Sequence, residues 1–311
     1  MRRREFLGAL AVGVMGSRLR LPPLARHDHL VERWSWAMGQ AVHLQLFAPS
    51  EAAGYEAAQA ALAELRRVEQ RLSLFDDTSE LCELNRRAGR RRLVADTDLS
   101  TVLAASLHFQ QQSGGAFNPA IEPLMRAWGF HRPRTTEPSA AEITEARRAA
   151  EAARILVQGR TLALPSAATQ LDLGGIGVGY GLDRMAAVLR GRGIERAFLD
   201  VSGDCLALGA PPGEPGWRVD IADPRRSGEI IASTRLRDMA LATSSNLVSV
   251  VRYGRAVRGH VINPETGWPS DALTQVSVVA RTGTEADALS TAMLVSGKPF
   301  EGVVRTYSYG L

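Results

Sequence analysis

The chain has 311 residues, 45% of them hydrophobic and 23% charged, proportions that suit one large globular core and exclude a disordered or low-complexity protein. Its net charge of +4 is concentrated at the start: residues 1–26 hold six arginines and one glutamate, which leaves the remainder at −1. A chain so nearly neutral after its first segment gives no electrostatic basis for binding nucleic acid.

The N-terminus reads MRRREFLGALAVGVMGSRLR. The Arg3-Arg4 pair, Phe6-Leu7 and a short apolar run to Gly16 predict a twin-arginine signal peptide over residues 1–26. The run is too short to cross a bilayer, and no cysteine follows it, so no stable membrane anchor is expected. The expected location is the periplasm. Residues 27–311 show no composition shift, repeat or linker and are read as one compact α+β domain of mixed sheets packed with helices.

In chain order, residues 34–48 lead into a first strand through the alternating Val42, Leu44 and Leu46. Apolar residues at 58, 62, 65, 68 and 72 predict a one-faced helix over Ala52 to Leu72. A polar loop over 73–89 ends a short helical piece near Asn85, and a second helix runs from Asp98 to Gln112. Residues 113–130 combine a glycine pair, a proline turn and an apolar segment, and 131–139 read as a surface loop. A helix over 140–153 and a hairpin around Gln158-Gly159 follow. Arg196 to Leu208 is read as strand, turn, strand, with further strands at 217–221 and 229–236. MALATSSN (239–246) is read as a small-residue turn, 260–270 as a loop, 275–281 as a strand and 284–296 as the last helix. Cys82 and Cys205 could pair, but their spacing alone does not decide it.

The stretch LDLGGIGVGYGLD (171–183) organises the rest, with five glycines in the eight residues from Gly174 to Gly181. It predicts a strand, a loop with positive φ and a helix whose N–H groups face an anion such as a phosphate. The spacing matches neither the dinucleotide fingerprint nor a Walker loop. Asp287 and Thr291 are four apart in a helical segment, so both side chains share one face.

Taken together, AMGQAVHL (37–44), LFDDTSELCELN (74–85), GGAFNPAIEPLMRAWGF (114–130), LDLGGIGVGYGLD (171–183), LDVSGDCLALG (199–209), ALATSSN (240–246), HVINPETGWP (260–269) and ADALSTAML (286–294) resemble, in this order, the FAD:protein FMN transferase family of ApbE-type flavin transferases. The resemblance implies an ApbE-like, T-fold-related domain and an exported enzyme. Such an enzyme takes FAD as substrate and joins its FMN half to a threonine or serine hydroxyl of an acceptor flavoprotein, a membrane-associated redox subunit, and AMP leaves.

The resemblance also implies a metal, Mg²⁺, held by the Gly175 carbonyl, Asp287 and Thr291, a hard-oxygen set suited to that ion. It makes His260 the acid/base residue. Met38, Phe75, Ala116, Phe117, Asn118, Asp172, Val178 and Ile262 become candidate flavin-nucleotide contacts. The sequence departs from the family at three of its positions: Asn118 stands where Asp is usual, Val178 where Lys is usual and Gln40 where Thr is common. The first two motivate one rival reading, a non-catalytic FAD-binding or delivery protein; the other, implied by family members with hydrolytic bias, is an FAD pyrophosphatase giving FMN and AMP.

Overall fold

A computed structural model describes residues 29–310. The expected export signal, residues 1–26, lies outside the described residues. The elements run β1 (His29–Ala37), β2 (Gln40–Ala48), α1 (Glu51–Leu72), α2 (Glu80–Arg86), β3 (Leu93–Val94), α3 (Thr97–Gln112), α4 (Glu122–Ala127), α5 (Ala140–Glu151), β4 (Leu156–Gln158), β5 (Thr161–Ala163), α6 (Gly177–Gly191), β6 (Ala197–Val201) and β7 (Asp204–Leu208). They continue as β8 (Trp217–Ala222), β9 (Ile230–Leu236), β10 (Met239–Ser245), β11 (Val250–Tyr253), β12 (Ala256–Gly259), β13 (Gln275–Ala280), α7 (Gly283–Ser296) and β14 (Arg305–Tyr309).

A seven-stranded sheet in the order β1-β2-β6-β7-β10-β13-β14 is the frame, and every neighbouring pair in it runs antiparallel. Because strand side chains alternate, each strand supplies two cores. Leu44, Leu199, Leu206, Ala242 and Val278 point to the face covered by α1, α6 and α7. Phe47, Phe198, Cys205, Leu241 and Val279 point to the other face, where Trp217 of the β8–β9 hairpin closes the layer. The Trp217 indole N–H reaches the Leu208 carbonyl at 3.1 Å, so its burial leaves no orphaned donor. A third cluster joins α4 and α5 around Trp128, whose indole donates to the Gly267 carbonyl at 2.7 Å.

The helices start where capping residues allow. Ser50, Ser79, Asp96 and Thr282 each accept a backbone N–H at the head of α1, α2, α3 and α7, and Ser139 heads α5 in a full capping box. α7 stops at Gly297 in a left-handed conformation.

Four expectations are corrected. Residues 34–48 hold more than the one strand expected: Val42, Leu44 and Leu46 lie in β2 as read, and β1 before it, which went unread, pairs along its length with β2. Residues 239–246 are not a turn. Six of them lie in register with β13, and β10 sits inside the sheet because small side chains let α7 pack closely over it. Residues 171–173 are not a strand. Their backbone is tied to Asn85, which accepts from Leu171 N at 2.8 Å and donates to Leu171 O at 3.0 Å, and to Pro119 O, which accepts from Asp172 N at 2.9 Å. Finally, Gly177, Gly179 and Gly181 belong to α6, and none of the five glycines from 174 to 181 has positive φ. Cys82 and Cys205 are both buried and unpaired.

Candidate active site

The glycines of α6 serve close packing rather than unusual dihedrals. A Cβ on Gly179 would fall on the Gly283 carbonyl oxygen, and a Cβ on Gly283 would fall on the Gly179 carbonyl oxygen. The first turns of α6 and α7 therefore meet backbone to backbone. A Cβ on Gly181 would lie 2.6 Å from Leu65 Cδ1 and 2.9 Å from Met38 Cε, so the next turn of α6 is equally tight against α1 and the β1–β2 turn.

This contact brings together the residues expected to hold a metal. The Gly179 N–H donates to Asp287 Oδ2 at 3.0 Å. A Cβ built on Gly175 would lie 3.0 Å from Thr291 Oγ1, so the glycine corner and the Asp287/Thr291 face of α7 touch. Ser244 of β10 joins them: its Oγ lies 3.2 Å from Thr291 Oγ1 and 2.8 Å from Ser290 Oγ. Sequence reading missed Ser244 because 239–246 was read as a turn; a strand there puts it under α7.

The electrostatics are lopsided. Asp287 is 5% exposed, and burial pushes its carboxyl up to about 7, opposed by the Gly179 N–H and reinforced by the charge of Asp183. Asp204 on β7 is also raised, by burial and then by Asp287, while its Oδ1 accepts the Thr243 N–H at 2.9 Å. Asp183 is raised by burial although it accepts Gly283 N, Thr284 N and the Thr284 hydroxyl. Among the described residues no basic side chain forms an ion pair with Asp287 or Asp204. Buried acids without cations, ringed by hydroxyl and carbonyl oxygens, form a donor set that suits a hard divalent ion.

The nucleotide-contact candidates spread around the same corner. Met38 occupies the first position of the two-residue β1–β2 turn at φ 53, followed by Gly39 at φ 69, the left-handed pair that matches hairpin twist. A methionine there is strained, which is a cost retained beside the candidate site. Phe75 is 81% exposed, a large ring with little to cover it. Ala116 is half-buried, whereas Phe117 is buried, with Cε2 3.5 Å from where a Gly175 Cβ would stand; its ring supports the corner from below. Asn118 Oδ1 accepts Ala120 N at 2.9 Å and Gln110 Nε2 at 3.2 Å, so its oxygen shapes the local turn. Asp172 Oδ1 accepts the Gly174 N–H at 2.7 Å. Val178 is half-buried in the first turn of α6, and Ile262 is buried in the Trp128 cluster.

His260 follows β12, with its backbone N–H on Ser249 O at 3.1 Å. Its Nδ1 is buried without a hydrogen-bond partner, and burial, aided by the charge of His131, pushes the imidazole below its ordinary value. Arg184, a candidate substitute for the cation missing at Val178, is engaged elsewhere: it pairs with Glu64 at 2.8 Å, on the side of α6 facing α1.

A second cluster went unnoticed in the sequence. Glu122, His131 and Asp172 each offer a ligand atom within 4.8 Å of the others. The visible signal was an acid, Glu122, inside the apolar run AIEPLM.

An antiparallel sheet with helices on one face, carrying a backbone-tight helix pair and an oxygen-lined acidic corner, defines an α+β protein whose corner offers oxygen donors of the kind a hard cation takes. Residues 38–304 match the model of the ApbE family, and the chain belongs to that family. It is 30% identical over 306 residues to an FAD:protein FMN transferase of Treponema pallidum, covering 92% of this chain and 82% of that protein. The crystal structure of the ApbE protein of Thermotoga maritima aligns with a TM-score of 0.79 at 26% identity, covering 86% of this chain and 87% of that one. The apo flavinyl transferase ApbE of Pseudomonas stutzeri shares the fold, with a TM-score of 0.76 at 24% identity over 86% and 85% of the two chains.

Proposed function

We propose that this protein is an Mg²⁺-dependent FAD:protein FMN transferase, exported to the periplasm by the twin-arginine route. Its acceptor would be a threonine or serine hydroxyl on an exported or membrane-associated redox protein. The observation that carries the reading is the meeting of the glycine corner with Asp287 and Thr291, two sequence-distant segments that make one oxygen-lined site.

Gly175, Asp287 and Thr291 would hold the ion, which when bound neutralises phosphate charge and polarises the phosphorus. Phe75 and Met38 present apolar surface to the flavin or adenine ring. The acceptor oxygen attacks the FMN-side phosphorus, the bond to the AMP oxygen breaks, and AMP leaves. A neutral His260, whose Nδ1 has no partner, accepts the proton that the hydroxyl gives up.

The test is incubation of the protein with FAD, Mg²⁺ and a threonine-containing acceptor, followed by mass analysis. An FMN adduct together with AMP is expected. AMP and free FMN without adduct would mark a pyrophosphatase, and bound FAD without AMP a delivery protein.

A further inference from the structure

The turn after Phe130 places one imidazole where α4, the 171–175 corner and the Phe75 loop meet. The His131 side chain is 15% exposed. Its Nδ1 is hydrogen-bonded to Glu122 Oε2, and its Nε2 lies 3.7 Å from Asp172 Oδ2. Glu122 is itself held by Arg126 at 2.9 Å, one turn along α4. The other oxygen of Asp172 accepts the Gly174 N–H. Phe75 stands edge-on to the imidazole at 5.4 Å. The contacts thus run without a break from Arg126 through Glu122, His131 and Asp172 to the backbone of the glycine corner.

The same three side chains could be taken for metal ligands. The ring argues otherwise. Its Nδ1 is already hydrogen-bonded to Glu122 and its Nε2 lies in ion-pair range of Asp172, and a ring protonated on both nitrogens has no lone pair left for an ion.

We infer that His131 is a positioning residue: as an imidazolium joined to Glu122 and Asp172, it holds the Asp172 carboxylate on the Gly174 N–H and so sets the corner that receives the FAD pyrophosphate. The ligand in this statement rests on the function proposed above; the clamp itself does not.

Charge supports it. Burial disfavours the charged ring, but the Glu122 hydrogen bond and the charges of Asp172 and Glu122 raise its pKa, against Arg126. Asp172 is raised by burial, and His131 and the Gly174 N–H draw it back. His260 is the remaining titratable neighbour, pushed down partly by His131. When pH rises through the His131 pKa, one nitrogen loses its proton and turns a lone pair toward a carboxylate. The clamp then opens and the corner loosens.

The test has two arms. NMR of the ligand-free protein follows the His131 ring and the Gly174 amide from about pH 5.5 to about 9, in wild type and Glu122→Gln. Both signals should share one midpoint above that of a free imidazole, and the variant should lower it. Flavin fluorescence then gives the FAD Kd of wild type and His131→Gln. The variant should bind about tenfold more weakly near pH 6, the loss of one charge-assisted hydrogen bond, and converge with wild type in alkali. A Gly174 amide indifferent to the His131 titration overturns the clamp, as does a His131→Gln variant with wild-type affinity at every pH. If wild type binds no FAD, the functional reading fails while the NMR arm still decides the clamp.

Discussion

The two sides of α6 treat buried acids in opposite ways. Toward α1 and α3, Glu64 and Asp98 are met by Arg67 and Arg184, and Tyr180 donates to Asp98 at 2.7 Å. Arg67 and Arg184 hold Glu64 down at about 2 despite its burial. Toward α7 and β7, Asp287 and Asp204 have no basic partner among the described residues and are pushed up. One helix therefore separates acids whose charge is already balanced from acids whose charge is left for something else to balance. The first arrangement holds the fold together; the second costs the fold stability at the place proposed for the ion.

The sharpest way to break the comparison is to neutralise one acid on each side. Asp287→Asn should lower AMP release by about 10²–10³-fold while leaving the melting temperature of the metal-free protein unchanged or higher. Asp98→Ala should do the reverse. It removes the acceptor of the Tyr180 hydroxyl and one of the two acids on Arg67, and should cost about 3 kcal/mol in denaturant unfolding, the lower end for a broken buried pair because Arg67 keeps Glu64 and is partly solvated.

The pH dependence separates the two sides next. The folded Asp287 carboxyl titrates at about 7, above its unfolded value of 3.8, so the native state binds more protons between the two. Stability from this group is full below pH ~4 and is lost as pH rises through about 7, on the order of a few kcal/mol. Glu64 works with the opposite sign: its contribution is present above its unfolded value of 4.5 and is lost as pH falls toward about 2. Melting curves should therefore fall between pH 5 and 8 without metal, and added Mg²⁺ should raise the melting temperature more at pH 8 than at pH 5. Equal metal effects at both would mean that Asp287 does not meet the ion.

Smaller effects test the packing that makes the site. Gly179→Ala forces the two helix starts apart and should cost about 1–3 kcal/mol, with weaker Mg²⁺ binding in calorimetry. Met38→Asn suits the left-handed turn and should stabilise by about 1 kcal/mol while weakening FAD binding. Unchanged FAD affinity would make Met38 a packing residue only.

Much of this was legible in the sequence where periodicity or spacing is local. The helix over 52–72 and the i, i+4 pair Asp287/Thr291 follow from the repeat of the α-helix. What failed depended on distant partners. The glycines of α6 lack Cβ atoms because Gly283, more than a hundred residues on, comes against Gly179, and no local rule separates that reason from positive φ. Leu171 to Leu173 has the apolar look of a strand, yet the side chain of Asn85 binds its backbone in place of a ladder. The small residues of 239–246 suggested a turn, but small side chains are also what a strand needs under a closely packed helix. His131 looked like part of a surface loop, and only the fold turns it toward Glu122 and Asp172.

The most direct test is a crystal grown with FAD and Mn²⁺ in place of Mg²⁺, measured for anomalous scattering. The account predicts one strong peak among Gly175, Asp287 and Thr291, beside the pyrophosphate. A peak at Glu122, His131 and Asp172 instead, or bound FAD with no peak near Asp287, would contradict it.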